Sequence, residues 1–314
     1  MKKVILDVDT GIDDAMSILL AVESGRMDVL GITAVNGNVP VNFVMKNTKK
    51  ILKLIGNEDI QVYRGASEPL LRESHHEYSV HGKDGIGDAL NHVEVSQDEP
   101  STFAPEFIVE QVKKHPNEIT LIMVGPLTNL ALAIKRDPEF IPLVKQVVIM
   151  GGLVSEAGKG NKLPTSEFNI FADAEAAKIV FHSGLPIKLV SLDVTMKTFL
   201  DRKRIEDLKG SRYYDFILNS TEVYRQYSRV NLGQDGCALH DPLTVGVVLD
   251  PSLVKTEKYF VDVETKSELT YGQTICDFRG LWNKEPNVEI CVDVDATRFE
   301  QLFIDTLKKR KASV

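Results

Sequence analysis

Apolar residues fall along this chain in two alternating rhythms. Short runs such as "KVILDV", "DVLGITAV", "EITLIMVG", "VKQVVIMGG" and "IKLVSLDV" are apolar over most of their length and predict strands. "IQVYRG" predicts a shorter one. Between them, "DDAMSILLAVES", "VNFVMKNTKKILKLIG", "LTNLALAIKRDP" and "DAEAAKIVFHSG" repeat their apolar positions at helical spacing and predict helices. The last of these has a glycine just past its end, the usual helix stop. Strands apolar throughout and separated by helices require a sheet covered on both faces, hence a mostly parallel one. The expected fold class is α/β: one domain over residues 1–314, with a central sheet flanked by helices and a more helical second half. The end, "NVEICVDVDATRFEQLFIDTLKK", predicts a late strand and a final helix.

Two stretches break the rhythm. One runs from Ser67 to Thr102; the other surrounds "YYDFILNSTEVYRQYSRVNLGQDG". A long irregular insertion in a compact domain is either a functional lid or a variable surface loop.

Composition narrows the classes. Of the 314 residues, 43% are apolar and 26% charged, ordinary values for a globular protein. The net charge of -8 makes a nucleic acid polymer a poor partner, since no basic stripe faces its phosphates. The Lys-rich end, "LKKRKASV", reads as a solvated tail. The N-terminus offers only Val4, Ile5 and Leu6 before the first aspartate, so no signal peptide is expected. No run approaches the roughly 18 apolar residues of a membrane span. Cys237, Cys276 and Cys291 are odd in number and far apart, which fits a reduced, cytoplasmic setting.

The chemistry concentrates near the start. Asp7, Asp9, Asp13 and Asp14 lie within one short stretch at the end of the first strand. Period-two geometry puts Asp7 and Asp9 on one face. Thr10 and Gly11 make a turn, and Asp13 and Asp14 open the next helix, where free N–H groups favour carboxylates. All four are expected to converge beyond the carboxyl edge of the sheet, where open α/β folds bind ligands. Carboxylates so close repel and take up protons, and a hard divalent cation relieves the conflict. Helix capping, the alternative, accounts readily for one or two of them and less well for all four.

Other polar groups fall where strands should end: Asn36 and Asn38 in "AVNGNV", "VGPLTN" from Val124, "MGG" from Met150, and Asn161, Glu167 and Asn169 in "GNKLPTSEFNIFAD". "LHDPLT" carries His240 and Asp241. Singly each is weak, because Asn-Gly is usually a turn and His-Asp is more often a structural pair. Their common placement at one sheet edge is the stronger signal. His81 in "HGKDGIGD" belongs either to a cover over the site or to a glycine-rich surface turn. Tyr224 and Tyr227, at helical spacing, are either core or ligand.

In this order, "DVDTGIDDA", "GNV", "GPLTN", "MGG", "EFNIFAD" and "HDP" resemble the inosine-uridine-type nucleoside hydrolases over Asp7 to Pro242. The resemblance implies the nucleoside hydrolase fold, with a Rossmann-like core. It implies hydrolysis of a ribonucleoside to ribose and free base, with one Ca²⁺ at the bottom of the pocket. By motif, Asp9, Asp14 and Asp241 would give carboxylates to the metal and Val124 its carbonyl. Asp9 would also be the general base that activates water. Asp13, Asn161, Glu167 and Asn169 would hold the ribose hydroxyls, with Asn38 near them and Met150 lining the sugar. His240 matches the group that protonates the departing base, in the subgroup accepting purine and pyrimidine nucleosides. The loop before Glu167 is longer here than the family pattern. Dimers or tetramers are common in the family.

That chemistry suits the residues, because glycoside cleavage develops positive charge on the sugar and acidic groups stabilise it. Two other readings are weaker. A DxD after a first strand also resembles aspartyl-phosphate phosphohydrolases, but Thr10 follows Asp9 directly and a convincing lysine and late acidic pair are not evident. A Ca²⁺ module that binds a nucleoside without cleaving it would use the same ligands; turnover lost on replacing Asp9 separates the two.

Overall fold

The computed structural model describes residues 1–155 and 158–308. The expected tail therefore lies, from residue 309 on, outside the described residues. The predicted apolar runs form β1 (Lys2–Val8), β2 (Met27–Ala34), β3 (Val62–Arg64), β4 (Ile119–Met123), β5 (Gln146–Met150) and β6 (Ile187–Val190). With β7 (Val254–Tyr259) and β8 (Val288–Val294) they make one sheet in the order β3-β2-β1-β4-β5-β6-β8-β7. Every neighbouring pair is parallel except β8 with β7.

The chain steps one way from β1 to β2 and β3, then the other way from β4 onward. A crevice is thereby left between the carboxyl ends of β1 and β4, the topological switch point of an open α/β sheet.

Besides a short helix over Arg202–Asp207, the described helices are α1 (Ile12–Glu23), α2 (Val41–Ile55), α3 (Tyr78–His81), α4 (Ala104–Lys114), α5 (Thr128–Arg136), α6 (Phe168–Ala172), α7 (Ala174–Phe181), α8 (Leu192–Thr195), α9 (Tyr214–Asn231), α10 (His240–Leu249) and α11 (Ala296–Lys308). Alternation along each strand divides the core between two layers. Val4, Leu6 and Val8 of β1 pack with Leu19, Val44, Leu243 and Phe299 on one face. Ile5 packs with Phe107, Leu130 and Phe181 on the other. Helix ends follow local chemistry: Asp173 accepts the N–H of Ala176 at the start of α7, and Gly56, at φ 78°, ends α2. The three cysteines are free thiols, and no described helix is long and apolar enough to cross a membrane.

Some expectations fail for visible reasons. "IKLVSLDV" is strand only to Val190, because a helical turn starts after Ser191, whose hydroxyl donates to Asp193, and Asp193 is tied to the N–H groups of Val154 and Ser155. The region around Tyr214 is not irregular but the 18-residue helix α9. Its buried stripe includes Ser220, Thr221, Arg225 and Ser228, so an apolar count misses the period. The second half also holds strands that polar residues concealed. β7 alternates exposed and half-buried positions, with Lys255 and Lys258 guarding a sheet edge. Phe199–Asp201 pairs with Gly236–Ala238, and Val261–Val263 with Thr274–Cys276.

Beneath the crevice, Asn129 of α5 ties three segments together. Its Nδ2 donates to Asp7 at 2.7 Å and to the Ala34 carbonyl at 3.1 Å, and its Oδ1 accepts from the Ala66 N–H at 2.9 Å. Asn129→Ala leaves buried Asp7 and two backbone groups short of partners. It should lower stability by about 2–3 kcal/mol in urea unfolding. A change below about 0.5 kcal/mol would remove this knot from the account of the fold.

Candidate active site

The floor of the crevice is made where β1 runs into α1. Asp14 turns back over the helix start and takes N–H groups from Asp9 at 3.0 Å and Gly11 at 2.9 Å. The Nδ2 of Asn38 adds a third at 3.2 Å. Asp9 accepts the Asn38 N–H at 2.7 Å through Oδ2, while its Oδ1 is buried without a partner. Glycine is required at two points of close approach. A Cβ on Gly37 would lie 2.0 Å from Asp9 Oδ2, and one on Gly11 2.6 Å from His81 Nδ1.

Asp13 of α1 and Asp241 of α10 complete the acidic group. Oxygens of Asp13, Asp14 and Asp241 lie within 4.8 Å of one another. Burial, and then neighbouring carboxylates, push Asp9 and Asp241 well up. The same two causes raise Asp13 to about 8. Burial also raises Asp14, against the hydrogen bonds it accepts. Without a counter-ion the group thus retains protons at neutral pH. The donors are all hard oxygens, and Asp9 Oδ1 and Asp13 Oδ1 both lack a partner. The Val124 carbonyl, just beyond β4, accepts among the described residues only from Asn169 Nδ2, at 2.8 Å, which leaves it a second lone pair. This set fits a hard divalent cation.

Asp7 does not converge with the others. It still lies within β1, on the Ile5 face, where Thr33 and Asn129 donate to it. Burial raises it to about 7. The chain leaves the strand after Val8, so period-two spacing no longer relates Asp7 to Asp9.

One wall is polar. Glu167 caps α6, accepting from Asn169 N at 2.9 Å and Ile170 N at 3.1 Å, and takes the Gly152 N–H at 2.9 Å. Burial nonetheless raises it to about 7. Asn169 gives its Nδ2 to the carbonyls of Val124 and Met150. Asn161 accepts the Phe168 N–H at 2.9 Å, which anchors the loop before Glu167 to α6.

The opposite end carries rings. His240 opens α10, and its Nδ1 lies 2.7 Å from Thr195 Oγ1. His81 ends α3, and its Nδ1 accepts the Ile12 N–H at 3.0 Å, an otherwise unpaired donor at the start of α1. Burial, and then His240, push His81 down to about 3; burial pushes His240 down to about 4. Both are therefore neutral near pH 7, and the 3.9 Å approach of His81 to Asp13 is no ion pair. The middle of the first irregular stretch is thus no free surface loop. The Glu77 N–H donates to the Asn38 carbonyl, and the Glu77 carboxylate pairs with Lys162 across the opening.

A cavity of about 260 Å³ results. Asp13, Asn38, His81, Val124 and Met150 line it, as do Asn161, Glu167, Asn169, His240 and Asp241. Asp9 and Asp14, fully buried, are not among its lining residues. Tyr224 and Tyr227, core or ligand on sequence grounds, both line it. Val80, Leu192, Met196 and Leu232 line it too, and nothing in their local sequence marks them.

Comparison with known proteins agrees with this geometry. The profile of the inosine-uridine preferring nucleoside hydrolase family matches residues 4–301. The pyrimidine-specific ribonucleoside hydrolase RihA of Salmonella arizonae is 37% identical over 97% of this chain and 98% of its own. Two solved structures are each 34% identical. A plant nucleoside hydrolase superposes with a TM-score of 0.93 over 98% of this chain and 99% of its own. A purine-preferring ribonucleoside hydrolase from Gardnerella vaginalis does so with 0.90 over 98% of both. With a switch-point cavity of acids, amides and neutral imidazoles, this chain belongs to the inosine-uridine preferring nucleoside hydrolase family and is a ribonucleoside N-glycosyl hydrolase.

Proposed function

We propose that the whole chain, 1–314, works as one Ca²⁺-dependent hydrolase of inosine- and uridine-type ribonucleosides, purine and/or pyrimidine, in nucleoside salvage or catabolism. The observation that carries this reading is the buried acidic group under a cavity with amides at one end and aromatic and imidazole rings at the other. Asp9, Asp14, Asp241 and the Val124 carbonyl hold the cation. When bound, Ca²⁺ lowers the pKa of a nearby water and fixes the vicinal hydroxyls of the ribose.

Asp9 is the base. One of its oxygens is held by the Asn38 N–H, and the unpartnered Oδ1 is free to take a proton from the attacking water. Asp13, Asn161, Glu167 and Asn169 bind the ribose hydroxyls, with Asn38 beside them and Met150 against the sugar. As the C1′–N bond breaks, positive charge grows on the sugar ring. Preorganised carboxylate and amide oxygens stabilise that charge more than the neutral substrate. His81 covers the base, and His240, neutral through burial, assists its departure as a hydrogen-bond donor. The base end carries both apolar and hydroxyl-bearing side chains, Val80, Leu232, Tyr224 and Tyr227 among them, which suits a flat heterocycle of either class. Three free thiols favour a reducing, cytoplasmic setting, and a homodimer or homotetramer completes the reading.

Free ribose released from inosine, adenosine, guanosine, uridine and cytidine tests the proposal. Release should vanish with chelator and return with Ca²⁺; release indifferent to chelation would refute the metal's role. Asp9→Asn should lower turnover by about 10²–10⁴-fold, as loss of a general base does, while ribose binding stays within a few-fold. Wild-type turnover in that variant would transfer the base role elsewhere.

The raised carboxyls also set a pH dependence. Asp13, at about 8 in the folded protein, holds its proton more tightly than in the unfolded chain, where it titrates near pH 4. Its contribution is intact below about pH 4 and is lost as pH rises through about 8. In chelator, the urea midpoint should therefore fall between pH 5 and pH 8, and Asp13→Asn should flatten the fall. Ca²⁺ binding should release protons in this range. A midpoint that climbs with pH in chelator, equally in both proteins, would contradict the assignment.

A further inference from the structure

Thr195 closes α8, the helical turn beyond β6, and His240 opens α10. Their side chains meet at 2.7 Å, Thr195 Oγ1 to His240 Nδ1, and both residues are buried. Backbone holds the pair together. The Leu192 N–H donates to the Gly152 carbonyl at 2.9 Å, and the Leu239 N–H to the Thr198 carbonyl at 3.1 Å. Thr198 Oγ1 donates to the Thr195 carbonyl at 2.9 Å. Immediately beyond, Phe199–Asp201 pairs with Gly236–Ala238. The hydroxyl and the ring are thus carried on two segments of one ribbon.

Proton inventory assigns the direction of the bond. Among the described residues, Thr195 Oγ1 and His240 Nδ1 each have no other hydrogen-bond partner. If Nδ1–H donated to Oγ1, the threonine proton would be buried with no acceptor. If the hydroxyl donates, both atoms are satisfied and the neutral ring carries its proton on Nε2. We propose that Thr195 is the positioning residue for His240, holding the ring in the tautomer that presents Nε2–H to the leaving base. The inference rests on the reading of His240 given above. As the C1′–N bond breaks, its electron pair passes to the base, and the charge gathering on a base nitrogen or oxygen accepts the Nε2–H bond. The base takes its proton from solvent, while Asp9 takes that of the attacking water. The opposite tautomer would set a lone pair against that charge.

The test compares leaving groups. The bases of uridine and inosine leave as poor anions, whereas p-nitrophenyl β-D-ribofuranoside releases a nitrophenolate that needs no assistance. Thr195→Val and Thr195→Ala should lower kcat on the nucleosides by on the order of 10-fold, with KM little changed. Both should hold the nitrophenyl riboside within about 2-fold, an activity that also reports intact folding. Thr195→Ser should restore the nucleoside rate. Equal losses on both substrates, or no loss on either, would overturn the inference. His240→Ala separates the two levels. If it loses nucleosides selectively while the Thr195 variants do not, only the threonine assignment fails. If it loses both substrates alike, the reading of His240 fails and takes the threonine with it.

Discussion

The repulsion among Asp9, Asp13, Asp14 and Asp241 is the constraint around which this molecule is arranged. All four are buried, oxygens of Asp13, Asp14 and Asp241 lie within 4.8 Å of one another, and burial alone would neutralise them. The fold meets the cost with fixed donors: the N–H groups of Asp9, Gly11 and Asn38 all point at carboxylate oxygens. What those donors leave uncompensated is a stable deficit of positive charge at one spot. Such a deficit attracts a cation in the resting protein and a developing cation during reaction. In the function proposed above, one electrostatic arrangement serves both binding and bond cleavage.

The sheet supplies the place. Because β2 and β4 flank β1 on opposite sides, the loops after β1 and β4 diverge and open a crevice. Asp9 follows the first of these strands and Val124 the second. Side chains from α1, α6 and α10 then reach the crevice from three directions. Close approach excludes any side chain at Gly11 and Gly37, so the turn residues are as constrained as the acids.

Much of this was legible in the sequence where local pattern and global fold agree. The inner strands β1, β4, β5 and β6 are apolar because both faces are covered, α1 is buried on almost every side, and α2, α5 and α7 carry an ordinary apolar stripe. Most predicted site residues line the cavity because each stands just beyond a strand or at a helix start, and such positions can be counted along the chain. Legibility ended where packing mixes polar and apolar groups. α9 buries serine, threonine and arginine, so its period was hidden, and with it the route by which Tyr224 and Tyr227 reach the cavity. Asp7 misled for the opposite reason, since strand geometry was extended one residue beyond the strand. Leu192 and Met196 reach the cavity only through a turn that no apolar count reveals.

The division of the cavity between its two ends has an evolutionary consequence. The acids and amides proposed above to meet the sugar stand mostly at the sheet's strand ends and at helix starts, with Asn161 on the loop before α6. The side chains at the base end come largely from α9 and from the insertion carrying His81, neither of which contributes a strand to the main sheet. Substitution or length change in those two segments can recut the proposed base end while the acidic floor stays intact. A scaffold divided in this way can diversify in substrate without passing through inactive ancestors.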